Sequence, residues 1–417
     1  MSSQTYDVIL AGAGLVGGAL ACALADGGAR VAVIEAASLQ DHGQPSFDCR
    51  HTALAPSSRY ILEAWALWQP LRGALTPIRH IHISEQGGWG FTHLDAAAEG
   101  LGALGWVLPN RRLGEAVIQR LTAHSTQVTL QSPGWITQLE HTDEAVTVTV
   151  ERPDTSAQLR GRLLVITDGA ESRTRELAGL STRRRDYGQS ALFTTLTPGR
   201  NPQGWAYERF SREGPLAMLP IAQGRCAVIW SLPHARAQHY AEGGEQALLA
   251  GLQAAFGHRL GRLRACDPPR SYALREVLAS RLTATRVALA GNAAHTLHPV
   301  AAQGLNLSLR DAATLAELVL AQLRKGGDPG EAALLQRYAC QRRPDIRRTQ
   351  WLTDGLVRGF SLDTAPLRLI RSGALAALER IDPARRALMR AAGGRIGPLP
   401  AIACRPPEAT DEEGEAM

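Results

Sequence analysis

The stretch that decides the fold is Tyr6-Asp7-Val8-Ile9-Leu10-Ala11-Gly12-Ala13-Gly14-Leu15-Val16-Gly17, an Ala/Leu-rich run to Asp26, Gly27-Gly28, and then Arg30-Val31-Ala32-Val33-Ile34-Glu35. Tyr6 to Ala11 reads as a buried strand, Leu15 to Asp26 as a helix and Arg30 to Ile34 as a second strand. Between the first strand and the helix stand Gly12, Gly14 and Gly17; Glu35 closes the second strand eighteen residues after Gly17. The first glycine permits a tight turn, the second lets backbone approach a pyrophosphate, and the third lets the helix pack close to the strand. The acid takes the hydroxyls of an unphosphorylated ribose. FAD and NAD both satisfy this pattern.

The rest of the composition narrows the class. The chain has 417 residues, 45% hydrophobic and 20% charged, with a formal net charge of +6. That length holds two domains and a large core. The positive charge is mostly arginine, dispersed, and without a nucleic-acid motif, so no nucleic-acid partner is expected. Cys22, Cys49, Cys226, Cys266, Cys340 and Cys404 are scattered, with no pair spaced for zinc or a redox dithiol, so no metal is expected and a reducing, cytoplasmic setting fits. Val8 to Ala25 is uncharged, but its glycines and the preceding Asp7 argue against a signal peptide or a membrane span.

Outward from the opening unit, Gln40 to Pro56 reads as a polar loop carrying Arg50, which can reach a phosphate or a ring. A helix from Ser57 to Trp68 follows. Ile78 to Ser84 and Gly87 to Leu94 look like strands that leave the nucleotide domain. Asn110-Arg111-Arg112-Leu113 opens a helix to His124, and Arg111 at its start can clamp a diphosphate bidentately. Leu163 to Ile166 is a continuous apolar strand, and Asp168 follows it where ligands bind in doubly wound sheets; the plainer role for that acid is a helix N-cap. From Arg183 to about Arg275 short alternating strands (Ser190 to Leu196, Gly204 to Phe210, Leu216 to Pro220, Cys226 to Leu232) predict a second, sheet-based domain with a helix near Glu245 to Phe256. Arg183-Arg184-Arg185 reads as a solvated charge run.

A second decisive stretch begins with the buried strand Arg286 to Ala290 and continues as Gly291-Asn292-Ala293-Ala294-His295-Thr296-Leu297-His298-Pro299-Val300-Ala301-Ala302-Gln303-Gly304-Leu305-Asn306-Leu307-Ser308 and Asp311. A long helix is expected from Leu305 to Leu323. Strand, small-residue turn, rigid proline loop and helix start together present free backbone N–H groups to something anionic or polarisable. Beyond it, Glu331 to Phe360 reads as helix. Thr364 to Ala392 reads as two helices broken at Asp382-Pro383, with arginines interleaved among Leu and Ile. That face is either a helical cap on the core or a basic surface for membrane or a partner. Pro398 to Met417 reads as a disordered acidic tail.

These motifs, in this order, resemble the single-component flavin-dependent aromatic hydroxylases of the para-hydroxybenzoate hydroxylase type, and among them the ubiquinone-biosynthesis hydroxylases. The family pattern of His-Pro, Gly-Gln-Gly-x-Asn-x-Gly and Asp corresponds here to His298-Pro299, Ala302-Gln303-Gly304-Leu305-Asn306-Leu307-Ser308 and Asp311. Tyr187-Gly188-Gln189, Gly214 to Pro220, Arg342-Arg343 with Asp345, and Thr353-Asp354 are similar to that family too. Gly291-Asn292, where the family usually has Gly-Asp, is similar to the UbiH branch, the 2-polyprenyl-6-methoxyphenol hydroxylases. Ala302 and Ser308 depart from the pattern by adding a Cβ where the family has glycine.

The resemblance implies an α/β fold in which a Rossmann-like FAD-binding domain (1–75, 98–182 and 276–330) is interleaved with a β-sheet substrate domain (76–97 and 183–275). A C-terminal helical region (331–397) and the tail (398–417) complete the chain. It implies FAD held by Gly12, Gly14, Gly17, Glu35, Arg50, Arg111, Asp168, Gly291, Asn292, Ala302, Gly304, Leu305 and Asn306. NADPH or NADH would be a transient reductant and O2 the oxidant. Pro299, Gln303 and Gly304 would face flavin and substrate, with backbone N–H groups from Ala302 to Leu305 stabilising negative charge on the flavin. No side-chain base is assigned; His295 and His298 read better as satisfied structural histidines. The substrate implied is a polyprenylated phenol, in a cytoplasmic enzyme that docks at the inner membrane through its basic helices, alongside other ubiquinone-biosynthesis proteins or as an oligomer. A sister ring hydroxylase of different regiospecificity, another phenol hydroxylase, a flavin reductase or halogenase on the same fold, and a non-catalytic scaffold are the competing readings.

Overall fold

The apolar runs that read as buried strands become the centre of an eight-stranded sheet. In the computed structural model, which describes residues 5–39, 44–361 and 364–404, Thr5–Ala11 lies between Ser156–Ile166 and Val31–Ile34, parallel to both. Val31–Ile34 pairs in parallel with Val128–Gln131, and Val287–Leu289 extends the other side beside Leu164–Ile166. Val8, Ile9, Leu10, Val31, Val33 and Leu163 to Ile166 are fully or almost fully buried. Near-continuous burial is what a parallel sheet covered on both faces requires. The helix Leu15–Asp26 covers one stretch of it, and the 22-residue helix Gln303–Arg324 packs against that helix and against the 30-residue helix Ala332–Ser361.

The second sheet has nine strands and is mostly antiparallel. Its longest strand, Thr182–Thr197, pairs with Cys226–Pro233 on one side and Arg270–Ala279 on the other. Trp205–Ser211 pairs antiparallel with Gly214–Pro220 and in parallel with His80–Glu85, so the chain does return to this sheet from the first domain. The boundary expected at residue 275 falls inside the strand Arg270–Ala279. One face of this sheet is covered by two helices, His234–Glu242 and Gly244–Phe256, where one was expected.

One expectation, the disordered tail, is corrected here and one holds: Arg183 and Arg184 are exposed, a solvated run at the start of the long strand. Arg183 reaches the fully buried Glu276 at 3.1 Å, and Arg185 reaches Asp354 at 2.6 Å. The tail is ordered at least to Cys404: Ala401–Cys404 forms a short helix, Ala403 is completely buried, and the Ile402 N–H donates to Glu317 at 2.9 Å. The remainder of that expectation, 405–417, lies outside the described residues. The break at Asp382-Pro383 is where expected, with Pro383 in the first turn of Asp382–Ala392, a position that needs no N–H donor.

Candidate functional site

The glycine turn is fixed by close approach. Gly12 has φ +97°, and a Cβ there would lie 2.7 Å from the Asp168 Cα; a Cβ on Gly17 would lie 2.1 Å from the Gly12 carbonyl oxygen. No side chain larger than hydrogen fits either place. Glu35, 5% exposed, accepts the Ala13 N–H at 2.7 Å through one oxygen and the Ala37 N–H at 2.9 Å through the other. The acid thus braces the turn while its carboxylate borders the cleft.

Asp168 sits at the end of the central strand, against the same turn. Burial pushes its carboxyl up, opposed by hydrogen bonds involving Ser172 and Thr174. It is not the N-cap: Ser172 caps the helix Arg173–Leu177 through the Arg175 N–H. Arg175, fully buried, donates to the Ala293 and Ala170 carbonyls at 2.9 and 3.0 Å and so ties the Asp168 loop to the Gly291 turn. Gly291 has φ +63°, and Asn292 after it faces the cleft.

Below this turn lies a buried charge network. Asp311 accepts from the Gly291 N–H (3.1 Å), His295 Nε2 (2.5 Å) and Arg342 Nε (2.7 Å). Arg342 and Arg310 both converge on Asp345 at 2.8 Å. Burial alone would raise the Asp311 carboxyl, but the charges of His295 and Arg342 and their hydrogen bonds outweigh it and hold Asp311 down at about 2. His295 is therefore a structural histidine. The network joins the glycine turn to both long helices.

The loop Pro299–Ala302 uses left-handed backbone at two alanines, Ala301 (φ +61°) and Ala302 (φ +50°). A β-carbon there costs about 1–2 kcal/mol per residue. The Ala302 N–H is spent on the Pro299 carbonyl at 2.9 Å, so the free donors expected from Ala302 onward begin in the first turn of the helix instead. Gly304 faces open space: a Cβ there would meet nothing within 4 Å. Ser308 donates to the Gly304 carbonyl at 2.8 Å and sits under the Gly291 turn, so its extra atoms are accommodated. His298 accepts the Val300 N–H with Nδ1 and stacks edge-on with Tyr187; burial pushes it down to about 4, so it is neutral.

Three residues expected at the cofactor or the reacting face have side chains that make contacts within the protein, although Gln303 still lines the cleft. Asn306 spends its amide on protein: its oxygen accepts from the Ala55 N–H and Ser58, and its nitrogen donates to the Ala53 and Ala302 carbonyls, all at 2.7–2.9 Å. It is a clamp between the strand His51–Leu54 and the helix start, outside the main cleft. Gln303 donates to the Ala301 and Ala392 carbonyls, tying the loop to the C-terminal helices. Arg111 points away from the cleft, 61% exposed and paired with Glu115 at 3.0 Å. Arg50 does border the cleft, held by Asp48 at 2.5 Å with its guanidinium 4.8 Å from the Tyr272 ring centre.

The glycine turn, Glu35, Asp168, Asn292, Arg50 and the loop Pro299–Ala302 border one cleft of about 2020 Å³. Its far half is apolar. The nine-stranded sheet contributes Ile81, Ile83, Phe210, Ala217, Leu219 and Ile229. Leu352, Leu356 and Phe360, four residues apart on the helix Ala332–Ser361, face them, with Leu375, Leu378 and Leu388 from the last two long helices. One carboxyl interrupts this wall, Glu208 on Trp205–Ser211, which sequence reading missed. The available signal was an acid at the inward position of an alternating strand, between Ala206 and Phe210.

A flavin dinucleotide fits the near half. The helices Leu15–Asp26 and Gln303–Arg324 both begin at the cleft without side-chain caps, and neither has an acid in its first turn. Two uncapped helix starts, a glycine turn that excludes any Cβ and the Glu35 carboxylate on the cleft border form a cradle for a pyrophosphate and a polar ring.

Comparison with known proteins agrees. Residues 5–351 match the family model described as an FAD binding domain. The chain is 39% identical to the ubiquinone hydroxylase UbiL of Rhodospirillum rubrum, over 96% of this chain and 92% of that one. It is 30% identical to the 3-demethoxyubiquinol 3-hydroxylase of Escherichia coli, over 94% of this chain and 100% of that one. Among solved structures it is similar to the p-nitrophenol 4-monooxygenase PnpA of Pseudomonas putida DLL-E4, with a TM-score of 0.79 at 19% identity, covering 94% of this chain and 98% of that one.

Proposed function

The chain belongs to the FAD-binding-domain family and is an FAD-dependent monooxygenase of the hydroxylase type, and from that premise we propose that it hydroxylates the ring of a polyprenylated phenol in ubiquinone biosynthesis. The substrate that the sequence motifs favour is 2-polyprenyl-6-methoxyphenol, converted to 2-polyprenyl-6-methoxy-1,4-benzoquinol. The observation that carries the reading is the single cleft with two unlike halves, a nucleotide cradle opening directly into a long apolar channel. A polar phenol alone does not need Leu352, Leu356, Phe360, Leu375, Leu378 and Leu388; an isoprenoid tail does.

When bound, FAD reduced by NADPH or NADH supplies, with O2, an electrophilic oxygen atom. The chain's own residues do the rest. Gly12, Gly14, Gly17 and Glu35 would hold the nucleotide, and Asp168, Gly291 and Asn292, which line the same cleft, would hold its polar linker. Pro299 to Leu305 would border the flavin ring, where the N–H groups of the helix start would favour negative charge and the open space at Gly304 would admit a ring. The apolar wall excludes water from the oxygen-transfer region, which prevents wasteful loss of the oxidant.

Membrane contact is supported by exposed apolar residues more than by bare charge. Several arginines of the C-terminal helices are paired internally, Arg371 with Glu85, Arg385 with Asp382 and Arg386 with Glu99. Trp351, Leu369, Ile370 and Ile381 stand 81%, 63%, 65% and 51% exposed near them. Among the described residues no helix is long and apolar enough to cross a membrane, so contact with lipid would be peripheral.

The similarity to a 3-demethoxyubiquinol 3-hydroxylase supports a second ring position. The test is to supply the FAD-loaded protein with NADPH or NADH and, separately, short-chain 2-prenyl-6-methoxyphenol and short-chain 3-demethoxyubiquinol, reading the product by mass and NMR. Hydroxylation of the first only supports the assignment; hydroxylation of the second only replaces the ring position; hydroxylation of neither overturns the pathway reading.

A further inference from the structure

Glu208 occupies the middle of the sheet face that walls the apolar channel. Across that row the register runs Ile83, Glu208, Ala217, Ile229, Phe193, so hydrocarbon flanks it on both sides. Its chain neighbours turn to the other face: Tyr207 packs edge-on against Phe256, and Arg209 donates to the Ala255 carbonyl and Ser84 Oγ. From the helices opposite, Leu352, Leu356, Phe360, Leu375, Leu378 and Leu388 face the same space. Among the described residues no hydrogen bond or ion pair engages the Glu208 carboxyl, although it borders the cleft. Removal from water alone pushes it up to about 7; no neighbouring charge contributes.

An unpaired carboxyl in an apolar wall is disfavoured in its ionised form. The buried acids Asp311 and Asp345 have arginine partners, and Glu208 has none among the described residues. A group in this state is suited to accept a proton from a ligand that brings its own polar atom into the channel.

We propose that Glu208 is the catalytic base of the hydroxylation, accepting the phenolic hydroxyl of the substrate and taking its proton as the ring is oxygenated. This rests on the phenol reading above. The phenol O–H bond breaks and a Glu208 O–H bond forms, leaving the electron pair on the phenol oxygen, which feeds the ring carbon that attacks the electrophilic oxygen. As the new ring C–O bond forms the O–O bond breaks, and the second oxygen atom of O2 leaves as water, taking up the ring C–H proton and one further proton that enters with the NAD(P)H electrons. Glu208 returns its proton to the phenolate oxygen of the product and is ready again. O2 and NAD(P)H supply the oxidant and the electrons.

Three variants of the FAD-loaded protein test this: Glu208→Gln, Glu208→Asp and Glu208→Leu. With a short-chain 2-prenyl-6-methoxyphenol, Glu208→Gln should lower kcat at least 100-fold with KM within about threefold. The acid limb of the wild-type kcat/KM profile, centred near pH 7, should vanish. Glu208→Asp should recover part of the rate and keep a limb. Binding is read independently of turnover by calorimetry at pH 8, comparing the phenol with its methyl ether. Wild type should prefer the phenol at least tenfold and Glu208→Leu should not discriminate, with flavin content read alongside to show that the variant is folded. A Glu208→Gln rate within twofold of wild type, or a wild-type protein that binds the ether as tightly as the phenol, overturns the assignment. If wild type hydroxylates no phenol yet discriminates phenol from ether through Glu208, the function reading fails and the residue's role as hydroxyl acceptor stands.

Discussion

Replacing Asp311 with Asn tests whether the buried network under the Gly291 turn holds the site together. Asp311 accepts from three donors, the Gly291 N–H, His295 and Arg342. An asparagine of the same shape has one acceptor oxygen and an NH2 group that must face at least one of those donors. It also leaves Arg342, fully buried, with Asp345 as its only anion, shared with Arg310. Removing one partner of such a pair costs about 3–5 kcal/mol. The protonation equilibrium gives an independent figure. The carboxyl lies at about 2 in the folded protein against an ordinary 3.8, a gap worth roughly 2 kcal/mol. Because the folded value is depressed, that stability is present in full above about pH 5 and is lost as pH falls through 4 toward 2. For 417 residues the unfolding entropy is on the order of 0.9 kcal/mol/K, so 3–5 kcal/mol lowers the melting midpoint by about 3–6 °C. The assay is thermal unfolding of the apoprotein at pH 7 and pH 4, with flavin content measured after reconstitution. The gap between wild type and variant should shrink at the lower pH. A midpoint within 1 °C of wild type at pH 7 would refute the reasoning.

Gly12→Ala should yield protein that folds but binds no FAD, read as the ratio of visible to ultraviolet absorbance, because the added Cβ meets the Asp168 backbone at 2.7 Å. Normal flavin content would mean that the turn can open. Asn306→Ala removes four hydrogen bonds and should cost about 2–4 kcal/mol in denaturant unfolding; if instead only FAD affinity falls with stability intact, the residue touches cofactor after all. Leu356→Asp should raise KM for a prenylated phenol at least tenfold and leave KM for the tail-less phenol within twofold. Equal effects on both would remove the tail from the channel.

How much of this was readable in the chain depends on how far apart the interacting residues lie. The βαβ unit is local: strand, glycines, helix and Glu35 fall within about thirty residues, and each carries its own conformational demand. The ion pairs of Arg183 and Arg185 were not readable, because Glu276 and Asp354 stand far along the chain. Asn306 and Gln303 lie in a motif that points to cofactor, yet their amides close contacts with residues 53–58 and Ala392 that spacing does not reveal. The ordered end at Ala401–Cys404 defeats a compositional rule, since burial of Ala403 and the Ile402–Glu317 hydrogen bond outweigh the surrounding Pro and acid content. Glu208 had only a period-two position to mark it, and what makes it unusual, an apolar row on either side and no partner, exists only once the sheet is assembled.

The most direct test of the central claim is product formation by the FAD-loaded protein with NADPH or NADH, O2 and a short-chain 2-prenyl-6-methoxyphenol. The account predicts substrate-stimulated oxidation of the nicotinamide and a product heavier by one oxygen atom, labelled from 18O2. Nicotinamide oxidation that yields only hydrogen peroxide, with every prenylated phenol returned unchanged, would contradict it.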